Sequence, residues 1–333
     1  MKGKIQVETI PSAVLARNPL GDPKRRELPV YLPPGIESAK RRFPVLYYLP
    51  GFTGGGRSAV NVKLWQENIV QRFDRLISEG KAKPAVLIVP DCTTAYGGSQ
   101  YVNSTATGDY EDHIVSELVP YFEDKFPLAR TAAGRGVLGS SSGGFGALWL
   151  GMRHPDVFGH AASHSGDMGF DLAYGRDFPK FVNALAKFGG SPERFAAAFL
   201  ASPDKEGFDF AAINVLAMAA YYSPNPKSRL AADLPFDPVT GELIPAVWRR
   251  WLAFDPVEIA AAHKASLKSL ATLFIDAGRR DEFFLHLGAR RLSRRLKALG
   301  VRHIHEEHER GHFDLAVRFE RSLALLTSRM KAA

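Results

Sequence analysis

Cysteine is nearly absent from this chain. Cys92 is the only one in 333 residues, so no internal disulfide can form. It follows Asp91 at a strand end with no second cysteine nearby, and reads as structural packing. There is no run of about 18 apolar residues, so no membrane-spanning helix is expected. The opening Met1-Lys2-Gly3-Lys4-Ile5-Gln6-Val7-Glu8 lacks the apolar stretch of a signal peptide, and a cytoplasmic location is the expectation. The glycine-rich Pro50-Gly51-Phe52-Thr53-Gly54-Gly55-Gly56 has no G-K-[ST], which argues against a nucleotide phosphate site.

What is present suits a large core. Hydrophobic residues make up 45% and aromatics 11%, enough for one α/β domain of this length. Basic residues outnumber acidic ones, 43 to 35, for a net charge of +8. They fall in short clusters along the chain, such as Lys24-Arg25-Arg26, Lys40-Arg41-Arg42 and Arg290-Arg291, with no interleaved stacking pattern. They read as solvated faces and loop tips, so neither a nucleic acid nor a membrane is expected as a partner.

Taken in order, Ile5–Ile10 and Glu27–Leu32 read as edge strands. The continuous apolar run Pro44–Leu49 reads as a strand covered on both faces. Leu64, Ile69, Phe73, Leu76 and Ile77 mark a helix stopped by Gly80. Ala85–Val89 is the next buried strand. A polar loop, Thr93–Thr107, leads to a helix marked by Ile114, Leu118, Tyr121 and Phe122. Strand and helix then alternate through Gly159–Ser165, as in a mostly parallel, doubly wound sheet. From Met168 to Ala262 the alternation breaks into helical pieces rich in proline, with no repeat. That stretch is expected to be a cap over the carboxyl edge of the sheet. Alternation resumes with a strand at Ala271–Asp276, a helix at Leu285–Leu299, a strand at Val301–Glu306 and a final helix through Leu315, Phe319, Leu323 and Leu326.

The stretch with the most chemistry is Gly136-Val137-Leu138-Gly139-Ser140-Ser141-Ser142-Gly143-Gly144-Phe145-Gly146-Ala147. It places G-x-S-x-G between a strand and a helix, the context of a nucleophile elbow with Ser141 at its tip. A serine hydroxyl is protonated at neutral pH, so a nucleophile there needs a base and a group to orient it. Asp281 and His312 fall on the loops after the last two core strands, giving the order Ser141, Asp281, His312. Asp276 and Glu282 are rival acids, and Asp281 could instead cap the helix that follows it. The oxyanion donors are expected at the Ser142 and Phe52 amides. Tyr101, Trp248 and Trp251 are the candidate substrate-binding walls, together with the Phe52 ring. His303-Ile304-His305-Glu306-Glu307-His308 approximates a zinc spacing, but it reads as a strand with only two histidines on one face. His164 reads as a packed or pocket-lining residue.

With these residues in place, the chain resembles the Putative esterase family of the α/β-hydrolase superfamily. That group includes feruloyl esterases, enterochelin esterases, S-formylglutathione hydrolases and mycolyltransferases. The likeness runs from Val30-Tyr31-Leu32-Pro33-Pro34-Gly35 to Gly311-His312. It rests on Pro44–Phe52, Tyr101-Val102-Asn103-Ser104, Tyr110-Glu111-Asp112, Gly139–Gly144 and Asp276–Phe283. It implies Ser141 as nucleophile, Asp281 as acid, His312 as base, and Phe52 and Ser142 as oxyanion donors. Pro50 and Ser142 depart from the family pattern, in which histidine or aspartate and methionine are common. The expected activity is hydrolysis of short-chain or aromatic acyl esters with no cofactor or metal, by a single domain 1–333 that acts on a small molecule and could form a homo-oligomer. An acyltransferase using the same three residues is the alternative, ahead of a metallohydrolase or a binding protein.

Overall fold

The computed structural model describes residues 1–332. Eight strands make its central sheet: β1 (Lys4–Pro11), β2 (Arg25–Leu32), β3 (Val45–Leu49), β4 (Val86–Ile88), β5 (Arg135–Ser140), β6 (His160–His164), β7 (Thr272–Gly278) and β8 (Ile304–His308). They lie in the order β1-β2-β4-β3-β5-β6-β7-β8. β1 with β2 and β2 with β4 are antiparallel; the other pairs are parallel. This is the doubly wound sheet that the alternation predicts.

The principal helices are α1 (Ile69–Ser78), α2 (Val119–Lys125), α3 (Ser142–Arg153), α4 (Phe178–Ala184), α5 (Pro192–Ala201), α6 (Phe210–Tyr222), α7 (Pro245–Leu252), α8 (Leu285–Ala298) and α9 (Phe319–Arg329). Successive strand residues point to opposite faces, and both faces are buried. Leu46, Leu87, Leu138 and Phe274 meet Phe73 and Leu76 of α1 and Leu323 and Leu326 of α9. Val45, Tyr47, Val137 and Ile275 belong to the opposite core, with α3, α6 and α8. Each such side chain fully removed from water contributes about 1.5–3 kcal/mol, which is why these strands read as unbroken apolar runs.

Three expectations change. β2 is an internal strand, paired on both sides, and its Leu28 and Val30 belong to the core. Leu64 is 85% exposed and lies before α1, which starts only at the Asn68 capping box. The polar stretch 93–107 is built around two short antiparallel ladders, Thr93–Thr94 with Gly97–Gly98 and Asn103–Ser104 with Gly108–Asp109. The segment 168–262 holds α4 to α7, and its Phe178, Phe181, Phe195, Phe236 and Trp251 join the core on the α3 side of the sheet. Among the described residues, no helix is long and apolar enough to cross a membrane.

Candidate active site

Ser141 sits between the end of β5 and the start of α3 with φ 55° and ψ −127°. That region is costly for a residue with a side chain, by about 1–3 kcal/mol. The surroundings hold it there. The Ser141 N–H donates to the carbonyls of His164 (3.0 Å) and Ser165 (3.1 Å) at the end of β6. Gly143 lies so close to the end of β3 that a Cβ on it would stand 1.8 Å from the Leu49 carbonyl oxygen. Only a residue with no side chain lets α3 start this near the sheet.

Asp281 follows β7 and is 2% exposed. Its Oδ2 accepts from His312 Nδ1 at 2.9 Å. Its Oδ1 accepts from the Phe283 N–H at 2.9 Å and, more weakly, from the Leu285 N–H at 3.4 Å, at the start of α8. The helix-capping and ring-orienting roles therefore coexist in one carboxylate. Burial works to raise the Asp281 pKa, but hydrogen bonding and charge from His312 outweigh it, and the net shift is downward. The rival acids have other work. Glu282 Oε2 accepts from the backbone N–H of His312 at 2.6 Å, so it positions that residue without touching its ring. Asp276 accepts from His164 Nδ1 (2.6 Å) and Arg318 Nε (2.8 Å), on the side of the sheet covered by α9.

A small cavity of about 30 Å³ opens against Ser141, walled by Phe52, Ser142, Asp167, Tyr174, Phe210, Asn214 and Phe283 among others. The Phe283 ring lies edge-on to the His312 ring, centroids 4.7 Å apart, so the His312 imidazole is next to this space. Among the described residues no hydrogen bond joins Ser141 Oγ to His312 Nε2; such bonds are often long until substrate arrives. Neither the Phe52 N–H nor the Ser142 N–H donates to another group of the described chain, and both residues border the cavity. Ser142 opens α3, where unpaired amides and the helix dipole favour negative charge.

The three proposed substrate walls are placed elsewhere. Tyr101 is buried, its hydroxyl donating to the Pro50 carbonyl at 2.6 Å and its ring against Gly146, so it supports the Phe52 loop from below. Trp251 is fully buried and donates from Nε1 to Ser223 Oγ at 2.8 Å. Trp248 packs on Trp251 and Phe178. Both tryptophans hold the 168–262 segment together instead of facing Ser141. That segment does reach the site through Ala173, Tyr174, Phe210 and Asn214, and through Arg176, whose guanidinium lies 4.9 Å from the Phe283 ring centroid. Asp167 and Asn214 were not visible as site residues in the sequence, because neither belongs to a motif.

His303 pairs with Ser293 Oγ at 2.8 Å, and His164 is buried against Asp276 and Ser322. Cys92 is buried, and burial pushes its thiol pKa well up. Among the described residues, no three His, Cys, Asp or Glu side chains are grouped as a metal site.

Comparison with known proteins agrees with this architecture. Esterase Rv1288 of Mycobacterium tuberculosis strain H37Rv is 32% identical over 142 residues, covering 41% of this chain and 28% of that protein. An endo-1,4-beta-xylanase/feruloyl esterase of Xylanibacter ruminicola is 28% identical over 148 residues, 41% of this chain and 19% of that protein. The chain thus aligns with less than a third of the length of either relative. Among solved structures, a ferulic acid esterase superposes with a TM-score of 0.64 at 20% identity, covering 99% of this chain and all of the other. An S-formylglutathione hydrolase from Agrobacterium tumefaciens gives 0.61 at 15%, covering 99% and 96%. These likenesses show the fold, that of the α/β-hydrolases. A family model described as Putative esterase matches residues 23–313, and the chain belongs to that family.

Proposed function

We propose that this chain is a serine carboxylester hydrolase with Ser141 as nucleophile, His312 as base and Asp281 as the acid that orients the base. The observation that carries this reading is the strained Ser141 at the mouth of a cavity whose Phe283 wall also packs on the Asp281-held His312. His312 Nε2 takes the Ser141 proton as Oγ attacks the carbonyl carbon. Asp281 fixes the ring with Nδ1–H toward itself and stabilises the imidazolium that forms. The carbonyl oxygen gains negative charge between the Phe52 and Ser142 amides; a donor so placed contributes about 3–4 kcal/mol to the barrier reduction. His312 then protonates the leaving alcohol. Water, activated by the same histidine, releases the acid and restores Ser141.

The cavity favours a small acyl group. Its volume of about 30 Å³ is roughly twice the least space that holds a water. The solved relatives include both ferulic acid esterases and S-formylglutathione hydrolases; the space beside Ser141 suits an acyl group nearer in size to the second. The 168–262 segment acts as a cap, since four of its residues close this cavity.

The test is reaction with a fluorophosphonate followed by peptide mapping, alongside turnover of short-chain esters by Ser141→Ala. A stoichiometric adduct on Ser141 and a loss in kcat of at least about 10⁴-fold are expected. Retention of most esterase activity by Ser141→Ala would overturn the mechanism.

A further inference from the structure

A second carboxyl group, Asp167, faces the same cavity and has no role in the mechanism above. It lies just beyond β6, is 6% exposed, and its backbone N–H approaches the Ser141 carbonyl at 3.4 Å. Three donors converge on a single oxygen, Oδ2: Tyr174 OH at 2.9 Å, Gln100 Nε2 at 3.1 Å and Ser142 Oγ at 3.2 Å. Oδ1 has no hydrogen-bond partner among the described residues. Asp167 is part of the cavity wall, so Oδ1 is the oxygen left for whatever enters.

Two other buried aspartates, Asp255 and Asp276, are bonded through both oxygens, whereas Asp177 is bonded through Oδ1 alone but does not border this cavity. Asp255 receives the amides of Gly169 and Val257 on Oδ1 and that of Phe170 on Oδ2. Asp276 divides His164 and Arg318 between its two oxygens. Buried polar groups are normally satisfied in this way. Asp167 is instead held rigidly by one oxygen, and one of its holders is itself strained into place: Gln100 has φ 54° and its neighbour Tyr101 φ 58°. Burial raises the Asp167 pKa against the pull of Gln100 and Tyr174, a cost that a donor on Oδ1 would relieve.

We propose that Asp167 selects the acyl group, accepting through Oδ1 a hydrogen bond from a hydroxyl or ammonium on the carbon next to the ester carbonyl. The inference rests on the assignment of Ser141 as nucleophile. With the carbonyl oxygen between the Phe52 and Ser142 amides, the group nearest Asp167 is the one attached to the carbonyl carbon, because Ser142 itself bonds Asp167. The leaving alcohol lies toward His312, which protonates it and which does not border this cavity. The space therefore receives the acyl side, and its size admits only a short substituent.

Methyl glycolate, methyl glycinate and methyl propionate differ at one heavy atom and serve as the probe set. Their kcat/KM values are measured for the wild type and Asp167→Asn, and each ratio to propionate is divided by the same ratio for hydroxide-catalysed hydrolysis. The asparagine keeps an acceptor for the three donors and turns its NH₂ to the cavity. At least one corrected ratio is expected to exceed about tenfold in the wild type and to fall about tenfold or more in the variant. A high glycolate ratio identifies a hydroxyacyl substrate, and a high glycinate ratio an aminoacyl one. Corrected ratios near one in the wild type would overturn the proposal without any variant. So would ratios unchanged in a folded Asp167→Asn protein that still hydrolyses methyl propionate. Turnover of all three esters by Ser141→Ala would overturn the serine mechanism itself, a separate outcome.

Discussion

At the scale of single residues, Ser141, the proposed nucleophile, is held in a strained backbone conformation. Its φ of 55° and ψ of −127° are held by two carbonyls of the β6 end, and the tension is stored in the folded state. Glycine adopts that conformation without the Cβ penalty. Ser141→Gly is therefore expected to abolish ester hydrolysis while raising stability by about 1–3 kcal/mol, read as a higher urea midpoint. A lower midpoint would mean that the hydroxyl, and not the backbone, matters to the fold. The turns that carry Ser141 and Asp281 were legible in the sequence because each follows an apolar run that marks a buried strand, whereas His312 follows the half-buried, mostly polar β8. Asp167 was not legible. It also follows a strand, but the residues that give it meaning, Gln100, Tyr174 and Ser142, are brought to it only by the fold. Trp248 and Trp251 failed in the opposite sense. Their size marks them as buried, but the sequence does not say whether a cap residue faces its own core or the cavity, and these two face the core.

At the scale of elements, the strained turn at Ser141 is positioned by how closely α3 approaches the sheet. Gly143 and Gly151 lie in the same helix and make a controlled comparison. A Cβ at Gly143 would meet the Leu49 carbonyl oxygen at 1.8 Å, and backbone cannot move aside cheaply. A Cβ at Gly151 meets the Ala161 methyl at 3.2 Å and Leu270 at 3.5 Å, a tight but side-chain contact. Gly143→Ala is expected to cost about 3 kcal/mol or more by forcing α3 away, and to lose fluorophosphonate labelling with it. Gly151→Ala should change stability by no more than about 1 kcal/mol, since alanine's helix preference offsets the crowding. Equal effects in chemical denaturation would show that the approach of α3 at Gly143 is not what fixes the turn. Element types were readable wherever two-sided burial gave unbroken apolar strands or helical spacing gave a face. Edge position was not, because β2 acquires its second neighbour, β4, only from the topology.

At the scale of the whole molecule, the response to acid is set by two opposed groups of carboxylates. Burial raises Asp22, Asp167 and Asp255, so protonation favours their folded forms. For Asp276 and Asp281 burial acts in the same direction but is outweighed, for Asp276 by His164 and Arg318 and for Asp281 by His312, and their net shifts are downward. A carboxylate whose folded pKa is depressed contributes stability that is fully present above its unfolded pKa, about 3.9. That contribution is lost as pH falls through the folded value. Asp276 is the clearest single probe, being completely buried between β6, β7 and the Arg318 turn before α9. Asp276→Asn takes one of two carboxylates from the partly exposed Arg318 guanidinium, which keeps Glu306 at 2.6 Å, so the loss near neutral pH is that of charge-assisted hydrogen bonding, about 1.5–3 kcal/mol. The other carboxylates are common to both proteins and cancel in the difference. The gap between wild type and variant, from urea denaturation, is expected to be widest at pH 7 and to narrow below about pH 4 as the wild-type carboxylate takes up its proton. A gap constant from pH 7 to pH 3 would mean that Asp276 holds the three elements together by shape and neutral hydrogen bonds, and that its charge contributes nothing to the fold.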